Sequence, residues 1–313
     1  MMQAILILAH KDEEQFLKLV DRLDDCFEVY IHIDKKMSLS DHAKKSLSSN
    51  SRVHYVSLYD VKWGSFSIVE ATVALMKLAL ENKEITYVHL ISGEDWPLQD
   101  PQKIYDFFED NNQIYMDFYR VGDAQKSGEP LLWWMKFYYN YDQVNRRSTF
   151  GKIYHRLLIL TQRLLHVNRL KKYGFQDRDI FSGQEWVDVP RDALQYAIKT
   201  WDTDLRYQKL FSHSFCSDEF WLQTILGDTT YSQRIDRNMH RYINWERENG
   251  KTPAILDERD YEAIVKGNYF FGRKVKLSTS KGLLEKLNQS EKKWILIVGI
   301  GNGLWSHSFS YWR

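Results

Sequence analysis

Asp218 and Glu219 are the residues of this chain best suited to chemistry. They lie in the run Phe215-Cys216-Ser217-Asp218-Glu219-Phe220-Trp221-Leu222-Gln223-Thr224, where polar residues give way to apolar ones. Ser217 predicts a helix N-cap there, which sets both carboxylates at the start of an apolar helix. A carboxylate anchored by a rigid helix suits a general base, which must meet its proton at hydrogen-bond distance. The competing reading is structural: acids favour the first turn of any helix because the positive end of the dipole is there. This segment alone favours the cap, and the rest of the chain reverses that preference.

The elements that would position these residues follow from periodicity. Ala4-Ile5-Leu6-Ile7-Leu8 reads as a buried strand, and 12–23 as a helix with Phe16, Leu17, Val20 and Leu23 in step. Further strands are predicted over 29–33, 53–58 and 87–91. Ser65 or Ser67 caps a helix running to about Leu80, and Pro101 opens another through Phe108. Alternating strand and helix over the first 110 residues predicts an α/β chain, a mostly parallel sheet with helices on both faces. Such sheets bind ligands beyond the carboxyl ends of their strands. Those ends are polar here: His10-Lys11-Asp12, Asp34-Lys35-Lys36 and Ser92-Gly93-Glu94-Asp95.

The 313 residues, 43% of them hydrophobic, suffice for one large domain or two small ones. Basic and acidic side chains number 43 and 42, so overall charge argues neither for nor against nucleic acid. Aromatic residues reach 15%, which favours sugar or base stacking although the same rings also fill cores. Cys26 and Cys216 are too few to staple a secreted fold. The apolar run Ala4 to Ala9 is too short for a signal-peptide core or a membrane span. A reducing cytoplasm is the expected compartment.

A helix is predicted over 152–170, with Ile153, Leu157, Leu160, Leu164 and Val167 on one side and Arg146, Arg147, Arg156, Arg163, Arg169, Lys171 and Lys172 around it. It reads either as an ordinary amphipathic helix with a solvated basic face or as an attachment to an anionic membrane. Nucleic-acid binding is disfavoured because exposed aromatics are not interleaved with these cations. Near the carboxyl end, Trp294 to Val298 followed by Gly299, Gly301 and Gly303 hints at a dinucleotide site. That fingerprint needs a following helix, so a terminal strand or an untidy tail is expected instead.

Eight segments taken in order resemble the core-2/I-branching β-1,6-N-acetylglucosaminyltransferases and their bacterial relatives, a family that includes protein xylosyltransferases. They are ILILAHKDEEQFLKLVDRL, VYIHIDKK, KWGSFSIVEATVALMKLAL, YVHLISGEDWPLQ, FSGQEWVDVPRDALQYAI, SHSFCSDEFWLQTIL, YINWE and NYFFGRKVK. The resemblance runs from about residue 4 to 276 and is poor over 111–180. It implies a GT-A fold in a single catalytic domain over 1–276, with a nucleotide-binding half (1–110) and an acceptor-binding half (111–276), then a tail of unknown role (277–313). It further implies inverting transfer from a UDP-sugar without a metal ion.

By that resemblance Glu219 is the base. Ala9, His10 and Lys11 meet uridine, Asp34 with Lys35 binds uracil or ribose, and Trp63 packs on the nucleotide. Lys274 is one cation for the departing diphosphate, Lys251 or Arg247 the second, and Arg273 a further candidate. Glu185, Trp186, Trp245, Arg247 and Asp95 fall to the acceptor. Strand-end Asp95 is not part of an Asp-x-Asp metal motif, and the two such strings, Asp177/Asp179 and Asp202/Asp204, read as solvated surface acids. His10 and His32 lack a ligand cluster. UDP-GlcNAc is the default donor, with UDP-xylose second. The acceptor is a glycan or lipid-linked glycan in surface polysaccharide synthesis. An inert carbohydrate- or nucleotide-binding module on the same fold is the rival from another class.

Overall fold

The computed structural model describes residues 2–124, 130–145, 147–248 and 250–289. It divides into two compact units. The first comprises Met1–Gly93 and Phe107–Met239; the second comprises Glu94–Asp106 and the residues from His240 onward.

The first unit opens as the alternation of the sequence requires: β1 (Met2–Ala9), α1 (Glu13–Leu23), β2 (Glu28–Ile33), α2 (Asp41–Ser49), β3 (Val53–Val56), α3 (Ser67–Glu81) and β4 (Ile85–Ser92). β5 (Asp95–Pro97) and α4 (Pro101–Phe108) follow. Returning to the first unit, the chain forms β6 (Ile114–Met116), β7 (Tyr119–Arg120), α5 (Leu131–Lys136), α6 (Thr149–Leu164) and α7 (Arg169–Lys172). It continues with β8 (Phe181–Ser182), β9 (Val187–Pro190), α8 (Arg191–Thr203), α9 (Leu205–Phe211), α10 (Trp221–Gly227) and β10 (Ile235–Asp236). Seven strands form one sheet in the order β10-β6-β9-β4-β1-β2-β3, and only β9 runs against its neighbours. The expectation of a mostly parallel α/β sheet holds.

Ile5, Leu6 and Ile7 of β1 are wholly buried, as a central parallel strand covered on both faces must be. Phe16, Leu19 and Leu23 of α1 are buried with them, each worth roughly 1.5–3 kcal/mol against exposure. A polar link runs through this core. His89 on β4 bonds Asp188 on β9 at 2.9 Å through Nδ1 and Gln3 on β1 at 3.3 Å through Nε2. All three are fully buried, and the mutual bonds offset their desolvation.

The second unit holds β11 (Arg241–Ile243), α11 (Tyr261–Gly267) and β12 (Phe271–Arg273), with a three-stranded sheet in the order β11-β12-β5. The sequence boundary at 276 falls just before a further helix, α12, over 277–289. Its Leu283 and Leu287 are buried with Leu98, Leu256, Ile264 and Val275. Ser280 Oγ donates to Leu256 O at 2.6 Å and fastens its first turn. The strand and glycines expected over 294–303 lie outside the described residues.

Three local expectations are corrected. Neither Ser65 nor Ser67 caps α3: Ser65 donates to Lys62 O and Ser67 Oγ accepts from Lys62 N, so both serines close the preceding loop. The helix expected over 152–170 is two, because the chain leaves α6 at Leu165 and His166 takes a left-handed φ of 52°. Ser217 does not cap an α-helix. Its hydroxyl donates back to Phe211 O at 2.7 Å, and Ser217–Glu219 form a 3-10 turn ahead of α10.

Candidate functional site

The parallel pairing of β1 with β2 and β4 fixes where the first group of residues falls. Ala9 lies opposite Ile33 and Leu8 opposite Ser92, so His10, Asp34 and Gly93 all emerge at one carboxyl edge. Asp34 N donates to Ala9 O at 2.8 Å, and Gly93 N to Leu8 O at 3.0 Å. The sheet therefore brings Ala9, His10, Lys11, Asp34 and Lys35 together. Asp34 is buried, while His10, Lys11 and Lys35 are exposed. Asp34 Oδ1 accepts from Lys36 N at 2.9 Å, and Lys36 Nζ also ion-pairs with Asp60 at 2.7 Å.

Lys36 Nζ also donates to Val61 O, which ties this edge to the loop that carries Trp63. Trp63 is 54% exposed. The Arg147 guanidinium sits 4.2 Å over one face of its ring, and Phe215 meets it edge-on at 5.6 Å. With Lys36, Lys62, Tyr141 and Arg147 it lines a cavity of about 340 Å³. Of these cavity residues, the resemblance singled out only Trp63. Lys36 stands beside Lys35 in sequence, but Tyr141 and Arg147 come from the poorly matched stretch, where spacing held no signal.

The carboxylates attach to this region through backbone bonds. Cys216 N donates to Gly64 O at 3.0 Å, and Gly183 N donates to Glu219 O at 3.0 Å. Gly183 is required: a Cβ there would lie 1.7 Å from Asp117 O. Gln223 Nε2 donates to Gln184 O at 2.9 Å, which holds the loop before β9 against α10. Because β9 runs antiparallel to β4, that loop and its Glu185 lie toward the carboxyl end of β4. Trp186 is buried at 6% exposure, so its indole offers little open face to a sugar. Trp133 and Trp134 pack against Phe137, Tyr139, Tyr141 and Phe215.

Burial pushes the Cys216 thiol well up, and Asp218, Glu219 and Glu185 add to this while Arg147 opposes it. Cys216 is therefore not a nucleophile at neutral pH. Burial raises the Asp218 carboxyl to about 7, and its Oδ1 has no hydrogen-bond partner. Between the ordinary value of 3.8 and about 7 the folded chain holds a proton that the unfolded chain has lost. Stability should therefore fall as pH rises through that window, by at most about 1.4 kcal/mol per pH unit for one group. In urea titrations at about pH 5 and about pH 8, Asp218→Asn is expected to show a smaller decline than the wild type. Equal declines would remove Asp218 as the source.

The second unit carries the other predicted residues. Arg273 and Asp95 pair across β12 and β5, and Arg273 Nη1 binds the buried Asp95 carboxylate at 2.9 Å. Lys274 Nζ lies 3.4 Å from Glu94. Lys274 N donates to Ala254 O, and Ala254 N to Asn244 O, so Lys274 stands at the same end of the small sheet as Trp245. Trp245 is 58% exposed, and Arg247 and Lys251 are exposed around a turn closed by Lys251 N to Glu248 O. Arg273 and Lys274 thus already face carboxylates, and an arriving diphosphate would have to compete with Asp95 and Glu94 for them.

Both Asp-x-Asp strings are engaged at the surface. Asp177 pairs with Lys136 and Asp202 with Lys77, each at 2.6 Å, while Asp204 binds Arg206. Among the described residues no group of three or more His, Cys, Asp or Glu is placed to hold a metal ion. No helix among them is long and apolar enough to cross a membrane.

A family model described as Core-2/I-Branching enzyme matches residues 4–265. A Caenorhabditis briggsae protein, xylosyltransferase sqv-6, is 21% identical over 234 residues, covering 73% of this chain and 26% of that protein. The chain thus spans about a quarter of that relative's length. Among solved structures, the galactosyltransferase LgtC in complex with donor and acceptor sugar analogs superposes with a TM-score of 0.40 at 10% identity, covering 77% of this chain and 75% of that one. Core-mannan synthase A of Aspergillus fumigatus, in a Mn/GDP form, gives 0.37 at 10% identity, covering 76% and 73%.

Proposed function

The chain belongs to the core-2/I-branching enzyme family, and on that premise we propose that it is an inverting, metal-independent glycosyltransferase of GT-A form. The donor is UDP-GlcNAc, and the sugar passes in β-1,6 linkage to a hydroxyl of a glycan or lipid-linked glycan. The observation that supports this most is the tethering of the Asp218–Glu219 turn, by Cys216 N to Gly64 O and by Gly183 N to Glu219 O. The first bond reaches the loop of Trp63, itself tied to the strand edge of Ala9 and Asp34.

In the proposed step Glu219 takes the proton of the acceptor hydroxyl as its oxygen forms a bond to the anomeric carbon. The bond from that carbon to the phosphate oxygen breaks, and UDP leaves with the electron pair. Lys274, Arg273 and either Lys251 or Arg247 are the cations proposed to stabilise the diphosphate, the work that a metal ion does elsewhere. Asp34 and Trp63 hold the nucleoside, and Trp245 orients the acceptor through its exposed indole. Surface polysaccharide synthesis in the cytoplasm is the proposed setting. UDP-xylose is the second donor reading, favoured by the xylosyltransferase relative.

UDP release from a panel of UDP-sugars, with EDTA or with Mn²⁺, tests this. Turnover of UDP-GlcNAc in EDTA is expected at a rate within about twofold of that with Mn²⁺, since the cations replace the metal. Turnover of UDP-xylose alone would transfer the reading to that donor. Activity confined to Mn²⁺ would overturn the metal-free step. UDP binding without turnover of any donor, in the presence of a glycan acceptor library, would favour an inert binding module.

A further inference from the structure

α6 is turned the wrong way for an ordinary surface helix. Its body-facing side is made of Gly151, His155, Ile159 and Gln162; Ile159 joins the cluster of Phe137, Tyr139 and Tyr141, and polar contacts fasten the side chains around it. Gln162 accepts from Tyr138 N at 2.7 Å and donates to Tyr138 O at 3.0 Å, and His155 bonds Tyr141. Phe150, Ile153, Leu157, Leu160 and Leu164 are all exposed, from 51% to 69%. At about 100° per residue these five cluster within an arc of roughly 80°, centred about 180° from the buried side. The outermost face of the helix is therefore its most apolar one.

Lys152, Arg156 and Arg163 line one edge of this stripe, all exposed, and α6 contains no Asp or Glu. None of the three makes an ion pair with a described residue, although Arg163 lies 4.8 Å over Trp133. An apolar stripe bordered by unneutralised cations matches a surface that is apolar within and anionic at its rim. A second copy of the chain matches poorly. Two such helices packed antiparallel about a two-fold axis would set the cationic edge against itself.

We propose that α6 is an interfacial helix that docks on an anionic lipid surface, with Phe150, Ile153, Leu157, Leu160 and Leu164 in the acyl boundary and Lys152, Arg156 and Arg163 at the headgroups. This surface shares no residue with those assigned to sugar transfer, and the inference holds whichever donor is used.

Co-sedimentation of the full chain with phosphatidylcholine vesicles, with and without phosphatidylglycerol, tests it. Binding is expected only when the anionic lipid is present, and to weaken as salt is raised. Leu157→Gln/Leu160→Gln should lower the partition coefficient at least tenfold, and Lys152→Gln/Arg156→Gln by roughly fivefold per cation removed. Both variants should keep wild-type hydrolysis of the UDP-sugar, which shows that they are folded. Equal binding to both vesicles, binding to neither, or binding untouched by the leucine changes would overturn the proposal. So would a concentration-dependent dimer that the same changes abolish.

Discussion

Glu219→Gln is expected to lower sugar transfer by about 10²–10⁴-fold, the range for loss of a positioned general base. The amide keeps the size of the carboxyl, and the backbone bonds from Gly183 N to Glu219 O and from Glu219 N to Cys216 O are untouched by the change, so the turn should survive. UDP binding by calorimetry should then stay within about twofold of wild type, because base removal acts on the chemical step. Asp218→Asn is the necessary companion. Asp218 titrates near 7 and stands next in the chain, so it is the natural rival for the proton. If the Asn variant loses activity while the Gln variant retains it, the base is Asp218. If both lose only a few-fold, the 217–219 turn is structural, as its position before a helix would also explain.

Much of the frame was legible because alternating apolar segments leave few choices. β1, β2 and β4 were readable from runs such as Ile5-Leu6-Ile7, and α1 from the spacing of Phe16 and Val20. What escaped was set by partners distant in sequence. Ser217 has the side chain of a cap, yet its hydroxyl is claimed by Phe211 O and Cys216 turns the chain at a left-handed φ of 49°. Apolar periodicity in α6 was visible, but period alone does not say which face points inward. Gln162 and His155 decide that through bonds to Tyr138 and Tyr141, residues from a segment without readable pattern. The candidate site shows the same split. Strand ends marked His10 and Asp34 and the family resemblance added Ala9, whereas Arg147 over Trp63 and the pairing of Arg273 with Asp95 arise only from the folded arrangement.

Arg169→Met is expected to destabilise the chain by about 4 kcal/mol or more, a large share of the 5–15 kcal/mol typical of a folded domain. Arg169 is fully buried, and no described carboxylate pairs with it. Its charge is met by dipoles instead. Nη1 donates to Phe137 O at 3.0 Å, His213 O at 2.9 Å and Ser214 Oγ at 3.1 Å; Nη2 donates to Lys209 O at 2.9 Å and to Leu210 O. Burial pulls its pKa down to about 10, which still leaves it charged at neutral pH. Methionine donates nothing, so four buried carbonyls lose a donor at once; His213 O keeps Tyr139 N at 2.8 Å and Leu210 O keeps Ser214 Oγ at 2.7 Å, and each carbonyl left unpaired costs roughly 1–3 kcal/mol. Arg169→Lys keeps the charge, but an ammonium cannot span the planar fork of acceptors, and it too should lose stability. Apart from Phe137 O, the carbonyls at risk are those of Lys209, Leu210 and His213, in the segment that leads into Phe215 and the Asp218–Glu219 turn. Loosening it should lower transfer before the chain unfolds, because Glu219 would lose its fixed position. Urea titration with parallel UDP-release assays separates the two effects. A methionine variant within about 0.5 kcal/mol of wild type would show that the carbonyls find other donors.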